Sequence, residues 1–392
     1  MAFLGNGAIN RVNLHSGIQA LAQGAGGIFF MVFLLHAGVS APAALLAQAA
    51  IVAGRFVLRP LLLPLATRWG LRPLLITGTL GIALQYPLLA EVQGIDGALF
   101  ALCIVSAIGD IFYWPSYHAY FAAIGDAEHR GHQISAREAL VAVVGIVAPL
   151  LGAWALVTLG PRWMFAGVGL VQAAAAIPLL GVADVTVKRL APGALRAASL
   201  GTILMAIDGW FDGCFIFVWQ IALFVSLGES MTAYGGAMAL AGLVGAACSL
   251  LLGRHIDAGH GRRAVAIAGL AAALLVLLRA ASLHLPWLAV TANALGALMF
   301  PLLIPALGTA TYNMAKSSPC PFRFQMVTEG GWDVGCFGAC LIAAALSASG
   351  VPLAIGILLG LPGIALGMAL LWRHYGTRGV GGTVAVETLQ NR

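Results

Sequence analysis

The sixteen residues Ala183 to Ala198, ADVTVKRLAPGALRAA, form the longest polar stretch between the apolar runs that make up most of the chain. Six such runs precede it and six follow, each about twenty residues long, the length a helix needs to cross a bilayer. Spans are expected near 14–37, 41–64, 74–90, 97–122, 134–157 and 163–183, then near 198–227, 232–253, 264–283, 287–314, 326–348 and 351–373. Composition points the same way. Only 9% of the 392 residues are charged and mean hydropathy is +0.96, whereas a soluble domain carries about a quarter charged residues. The runs are continuous and do not alternate in twos, which excludes a β-barrel. The expected fold is therefore an all-α polytopic membrane protein with twelve transmembrane helices in two pseudo-symmetric six-helix bundles. Residues 1–183 and 198–373 form the bundles, 184–197 link them, and 374–392 form a tail.

Basic residues near span ends are retained in the cytoplasm. With both termini inside, sixteen of the twenty Lys and Arg fall on that side; Arg162 and Arg279 lie outside, and Arg55 and Arg59 lie within the second span. The net charge of +6 then reads as a topology signal, and no nucleic-acid partner is needed to explain it. Residues 1–16 are mixed and lead directly into a span, so no cleavable leader is expected. The six cysteines mostly fall inside apolar runs and make no paired metal-ligand set, so neither metal nor cofactor is expected. The reading is a monomer in a bacterial-type cytoplasmic membrane, with lipid and a small-molecule substrate as its partners.

A shift of 191 residues superimposes Gly70 and Arg72 on Gly261 and Arg263, Ile76 and Gly78 on Ile267 and Gly269, and Glu138 on Glu329. Matches at one offset and at equivalent span ends indicate a duplicated six-helix unit, as in two-domain secondary transporters. The loop after the eighth span, Gly253-Arg254-His255-Ile256-Asp257-Ala258-Gly259-His260-Gly261-Arg262-Arg263, resembles the loop signature of the major facilitator superfamily, G-x-x-x-D-R/K-x-G-R/K-R/K. The first-half loop keeps Arg68, Gly70 and Arg72 but has Leu62 and Ala66 where the pattern has Gly and Asp. Gly145, Pro149 and Gly152 on the fifth span are similar to the family's Gly-Pro antiporter motif, with two glycines replaced, which points towards export. The resemblance implies a central cavity lined by helices one, four, seven and ten, with two, five, eight and eleven flanking it.

Ionisable groups inside a span cost roughly 3 kcal/mol each on insertion scales and are functional candidates by default. They are Arg55 and Arg59, Asp110, Asp208 and Asp212, and Asp333. On the fourth span Asp110, Tyr113, Trp114, Tyr117 and His118 recur with helical spacing and share one face, readable as a substrate or proton site or as an aromatic belt around a buried Asp. Asp208 and Asp212 share a face of the seventh span beside Trp210. Two close carboxylates in low dielectric rarely both ionise, so one can carry a proton, or else one meets solvent while the other packs. The candidates for proton coupling are thus Asp110, Asp208 and Asp212. Those for substrate binding are Arg55, Tyr113, Trp114, His118, Gln19, Gln23, Trp210 and Asp333. Arg55 is placed to neutralise Asp110 or to bind an anionic group, and Gln19 and Gln23 extend a polar line from His15 that serves ligand or helix packing.

The family fold also implies a cytoplasmic gate. Glu138 is expected to face Arg254, Arg262 or Arg263 beside Asp257, and Glu329 to face Arg68 or Arg72. The leading functional reading is a secondary transporter of a small organic solute, proton-coupled and exporting, and not an enzyme. Two other readings remain: a non-transporting sensor or lipid-handling protein on the same fold, and an intramembrane prenyltransferase using the DxxxD spacing of Asp208 and Asp212.

Overall fold

A chain segment inside a bilayer has no water to satisfy its backbone, so each apolar run closes its hydrogen bonds within itself as a helix. The computed structural model describes residues 7–124, 130–256 and 261–390, with side-chain placement described throughout except chiefly at 130–140, 249–256, 300–306 and 376–390. Among the described residues there is no strand. The first helical rods are α1 (Gly7–His36), α2 (Ala41–Trp69), α3 (Leu71–Ala90), α4 (Gly97–Ile124), α5 (Arg130–Thr158) and α6 (Pro161–Leu180). After the linker come α7 (Ser199–Ser226), α8 (Met231–Ile256), α9 (Gly261–Ser282), α10 (Pro286–Gly296 and Met299–Ser317), α11 (Pro321–Ala348) and α12 (Leu353–Leu358 and Gly360–Gln390).

Of the twelve spans expected, ten are long and apolar enough to cross a membrane among the described residues. The apolar part of α5 is the shorter Val143–Thr158, and α10 is interrupted between Gly296 and Met299. Several rods outrun their apolar runs: α1 begins at Gly7, α5 at Arg130 and α11 at Pro321, and α12 continues to Gln390. Hydropathy marks only the part of a helix that sits in lipid, whereas polar residues continue the same helix beyond it.

Helices α1 to α6 pack chiefly on one another, as do α7 to α12. The two sets meet mainly where α2 lies on α11 and α5 lies on α8. Close approach depends on glycine. A Cβ at Gly335 of α11 would sit 2.7 Å from the Trp210 nitrogen of α7, and one at Gly235 of α8 would sit 2.9 Å from the Pro149 carbonyl of α5. This is the small-residue packing by which membrane helices associate. It is also where the Gly145–Gly152 segment lies, with Gly152 against the Ala25 carbonyl of α1.

The chain turns from α2 into α3 at Gly70, whose φ of +84° suits glycine. Asp184, in the linker, accepts the Arg72 backbone N–H at 2.9 Å and so closes the start of α3. Arg72 Nη1 donates to the Val182 carbonyl at 2.9 Å, and Arg323 at the start of α11 donates to the Arg189 carbonyl at 2.5 Å. The linker is thereby held at its start and near its middle. On the opposite side Asp96 accepts the Leu99 and Gln93 N–H groups at 2.9 and 3.0 Å, and these bonds hold its carboxyl below the usual carboxylate range.

One charge lies elsewhere than expected. Arg279 is 4% exposed within the second bundle, not in an outer loop. Its guanidinium stacks 3.6 Å from the Phe215 ring and 4.6 Å from Trp219 and donates to the Phe215 carbonyl. That carbonyl belongs to a π-helical turn of α7, Gly213–Val218. A count of basic residues by side cannot detect aromatic faces that compensate a buried cation.

Candidate functional site

Two arginines one turn apart on α2 reach across to α11. Pro60 carries no N–H, and α2 tightens into a 3₁₀ turn at Arg59–Leu61, so Arg59 sits at a bend in the helix. Asp333, with no solvent exposure, lies between the two guanidiniums: Arg55 Nε is 3.0 Å from Oδ1, and Arg59 Nη2 donates to Oδ2. The first of these approaches is an ion pair without hydrogen-bond alignment. Arg59 Nη1 also donates to the Met326 carbonyl at 3.0 Å.

Arg55 meets two further carboxylates. Its Nη1 is 3.6 Å from Asp110 Oδ2 on α4, and its Nη2 is 3.5 Å from Glu329 Oε2 on α11. His118 Nε2 lies 3.8 Å from the other Glu329 oxygen. The Arg55 guanidinium sits 5.2 Å above the Trp332 ring, and the Trp332 indole donates to Asp212 Oδ2 at 3.0 Å. Ion pairs thus join α2, α4 and α11 where the two helix sets meet, and the Trp332 indole extends the contact to α7.

Other candidates lie apart from this cluster. The expected single face of α4 divides: Asp110, Trp114 and His118 border the cluster, with Trp114 and His118 stacked at 5.9 Å. Tyr113 is 1% exposed and instead meets His15 of α1 at 3.1 Å, and the Tyr117 hydroxyl meets Ser16 at 2.8 Å. His15 Nδ1 donates to the Ala175 carbonyl at 2.7 Å, so its Nε2 accepts from Tyr113. Farther along α1, Gln19 is half-buried, and Gln23 is exposed beside Gly27. Asp208 lines a small apolar cavity of about 40 Å³ between α7, α9, α10 and α12. Trp210 donates to the Leu359 carbonyl at 2.7 Å, which ties α7 to α12.

The gate residues have different neighbours from those expected. Glu329 faces Arg55 and His118, not Arg68 or Arg72, because it lies eight residues into α11, about 12 Å along the helix and level with mid-span groups. Arg68 is exposed, and Arg72 is engaged with the linker. Arg262 lies over the Trp372 ring at 5.5 Å, and Arg263 is exposed. The side chains of Glu138, Arg254 and Asp257 lie outside the described residues. Sequence reasoning missed Arg323 and Asp184 as linker anchors, and Trp332 as the bridge between Arg55 and Asp212.

This geometry can be set beside known proteins. The major facilitator superfamily profile matches residues 16–203. The human organic anion transporter MFSD10 (TETRAN) has a similar crystal structure, with a TM-score of 0.68 and 16% identity over 93% of this chain and 99% of that one. A POT family transporter in complex with 5-aminolevulinic acid is similar with a TM-score of 0.69 and 13% identity, over 94% and 95% of the two chains. No curated protein sequence matches the chain. The fold is that of a multi-pass membrane protein, with ten helices long and apolar enough to cross a membrane among the described residues. Residues 16–203 are similar to the major facilitator superfamily by sequence, and over 93–94% of its length the chain shares its fold with these two transporters.

Proposed function

We propose that the protein is a proton-coupled secondary transporter that exports a small organic solute by rocking its two six-helix bundles about a midplane site, as a monomer in a bacterial-type cytoplasmic membrane with both termini inside. The observation that carries this reading is the charge count where the bundles meet. Asp110, Glu329 and Asp333 surround Arg55 and Arg59, three carboxylates against two guanidiniums. In low dielectric an unmatched charge is costly, and one bound proton restores balance. Because the cluster is shared by α2, α4 and α11, its protonation bears directly on whether the bundles stay together. Asp208 and Asp212 add carboxylates on α7, the latter linked to Arg55 through Trp332. The similarity of the α5 motif to that of antiporters supports export, and the small organic ligands of the structural relatives support the solute class.

The test begins with growth of a deletion strain against toxic compounds and sole nutrients, to find a transported compound. Its movement is then measured in proteoliposomes under an imposed pH gradient. Asp110→Asn, Asp208→Asn and Asp212→Asn should each abolish uphill transport while retaining part of the solute exchange. Full gradient-driven activity in all three variants would falsify the coupling.

A further inference from the structure

We infer that the furrow between α9 and α12 holds one acyl chain of an anionic phospholipid, with the lipid phosphate on Arg262. The furrow has a volume of about 580 Å³ and its lining is apolar throughout. On α9, Ala266, Gly269 and Ala273 recur at i, i+3 and i+7, so one strip of that helix lacks bulk. Ala365 and Ala369 do the same on α12. Met368 forms the floor between the two strips, close enough that a Cβ at Gly269 would meet its sulfur at 2.5 Å. Ile364 and Met368 also line the small cavity beside Asp208, so a chain seated in the furrow packs against the wall of that cavity.

The length and the charge of the furrow both fit a lipid. Trp372 closes one end, and tryptophans of membrane proteins gather at the level of the lipid headgroups. From Trp372 to Leu361, at the other end, the α12 helix rises about 16 Å. The hydrocarbon of one leaflet is about 15 Å thick, half of the bilayer core, so the furrow matches one chain descending from its headgroup. At the Trp372 end Arg262 Nε donates to the Trp372 carbonyl at 3.3 Å, with the guanidinium 5.5 Å from the ring. Arg262 and Arg263 are exposed, and among the described residues neither pairs with a carboxylate. The two Nη groups of Arg262 are thus left for a phosphate, which the planar guanidinium fork suits. A second copy docked here about a two-fold axis would set the same arginines against each other, whereas an anionic headgroup neutralises them.

The experiment titrates the purified full-length protein in detergent with palmitoyl-oleoyl phosphatidylglycerol or with phosphatidylcholine of the same chains. Native mass spectrometry reads both the lipid bound and the number of copies of the chain. Phosphatidylglycerol should bind the more tightly, and Arg262→Gln should weaken it by about fivefold, the worth of one arginine at an anionic membrane surface, with little effect on phosphatidylcholine. Arg189→Gln, which removes an exposed arginine of the linker, should change neither lipid. Ala369→Phe fills the furrow from an exposed position and should weaken both lipids alike, and Ala266→Leu should repeat this from α9. Equal affinity for the two lipids overturns the inference, as does phosphatidylglycerol binding that Arg262→Gln or both furrow-filling variants leave intact. A lipid-free dimer that Ala369→Phe dissociates overturns it too, because the furrow would then belong to a second copy.

Discussion

Asp333 is tolerated in the interior because two guanidiniums surround it, and each guanidinium is tolerated because of Asp333. Removing one partner of such a buried pair costs about 3–5 kcal/mol, since the other charge is left uncompensated. Asp333→Asn and Arg59→Gln should each lower the unfolding temperature of the purified protein. The double variant should lose clearly less than the two single losses combined, a coupling that thermal unfolding of all four proteins measures; strictly additive losses would show that the two groups do not interact. These residues were visible in the sequence because the cost of a charge in lipid belongs to the single residue. Their pairing was not visible, because it depends on which helices touch. The same limit explains Tyr113 and Tyr117. At 100° per residue, positions 110 to 118 cover an arc of about 140°, wide enough that one flank packs on α1 while the other borders α11.

Helices are held in register by what they lack as much as by what they carry. Gly331 and Gly335 let α11 approach the α7 backbone at Thr202 and Ala206. Gly335→Val should force these helices apart and reduce the monodisperse fraction on size-exclusion chromatography by several-fold. Gly338→Val is the control, since a Cβ there meets only the edge of the Trp210 ring at 3.4 Å. Equal yields of the two variants would mean that the α7–α11 contact is not demanding. At this scale the sequence located most helices and blurred their ends, because polar residues at Arg130 or Pro321 continue a helix without contributing hydropathy. The π-helical turn at Gly213–Val218 left no periodic trace, because it is fixed by Arg279 reaching over from α9.

The two halves touch along α2–α11 and α5–α8, and the proposed transport by rocking must loosen one such seam. Ala49 and Val52 of α2 pack against Cys336 and Cys340 of α11. Val52→Cys, joined to these native thiols by a short bifunctional thiol reagent, should block transport of the compound identified in growth screens, while a monofunctional reagent of similar bulk should leave most of it. Equal inhibition by both reagents would argue against a moving seam. The two-bundle plan was legible from the 183–198 segment and the 191-residue offset, since both are properties of chain order. The seam's charges were only partly legible. The expectation that Glu329 meets loop arginines followed from the family pattern, whereas its depth along α11 follows from where that helix starts.

Asp184 lies 112 residues beyond the Arg72 amide it accepts. A ribosome therefore finishes α3 long before it supplies the acceptor that closes its first turn, and supplies it only after α6 has been made. The first half is completed by its own trailing segment, at the moment synthesis is about to begin α7. Vectorial synthesis thus gives this chain a built-in order of assembly: the leading bundle is sealed by the very residues that tether the next one, so an early stop in translation would leave a half-protein recognisable by its open end.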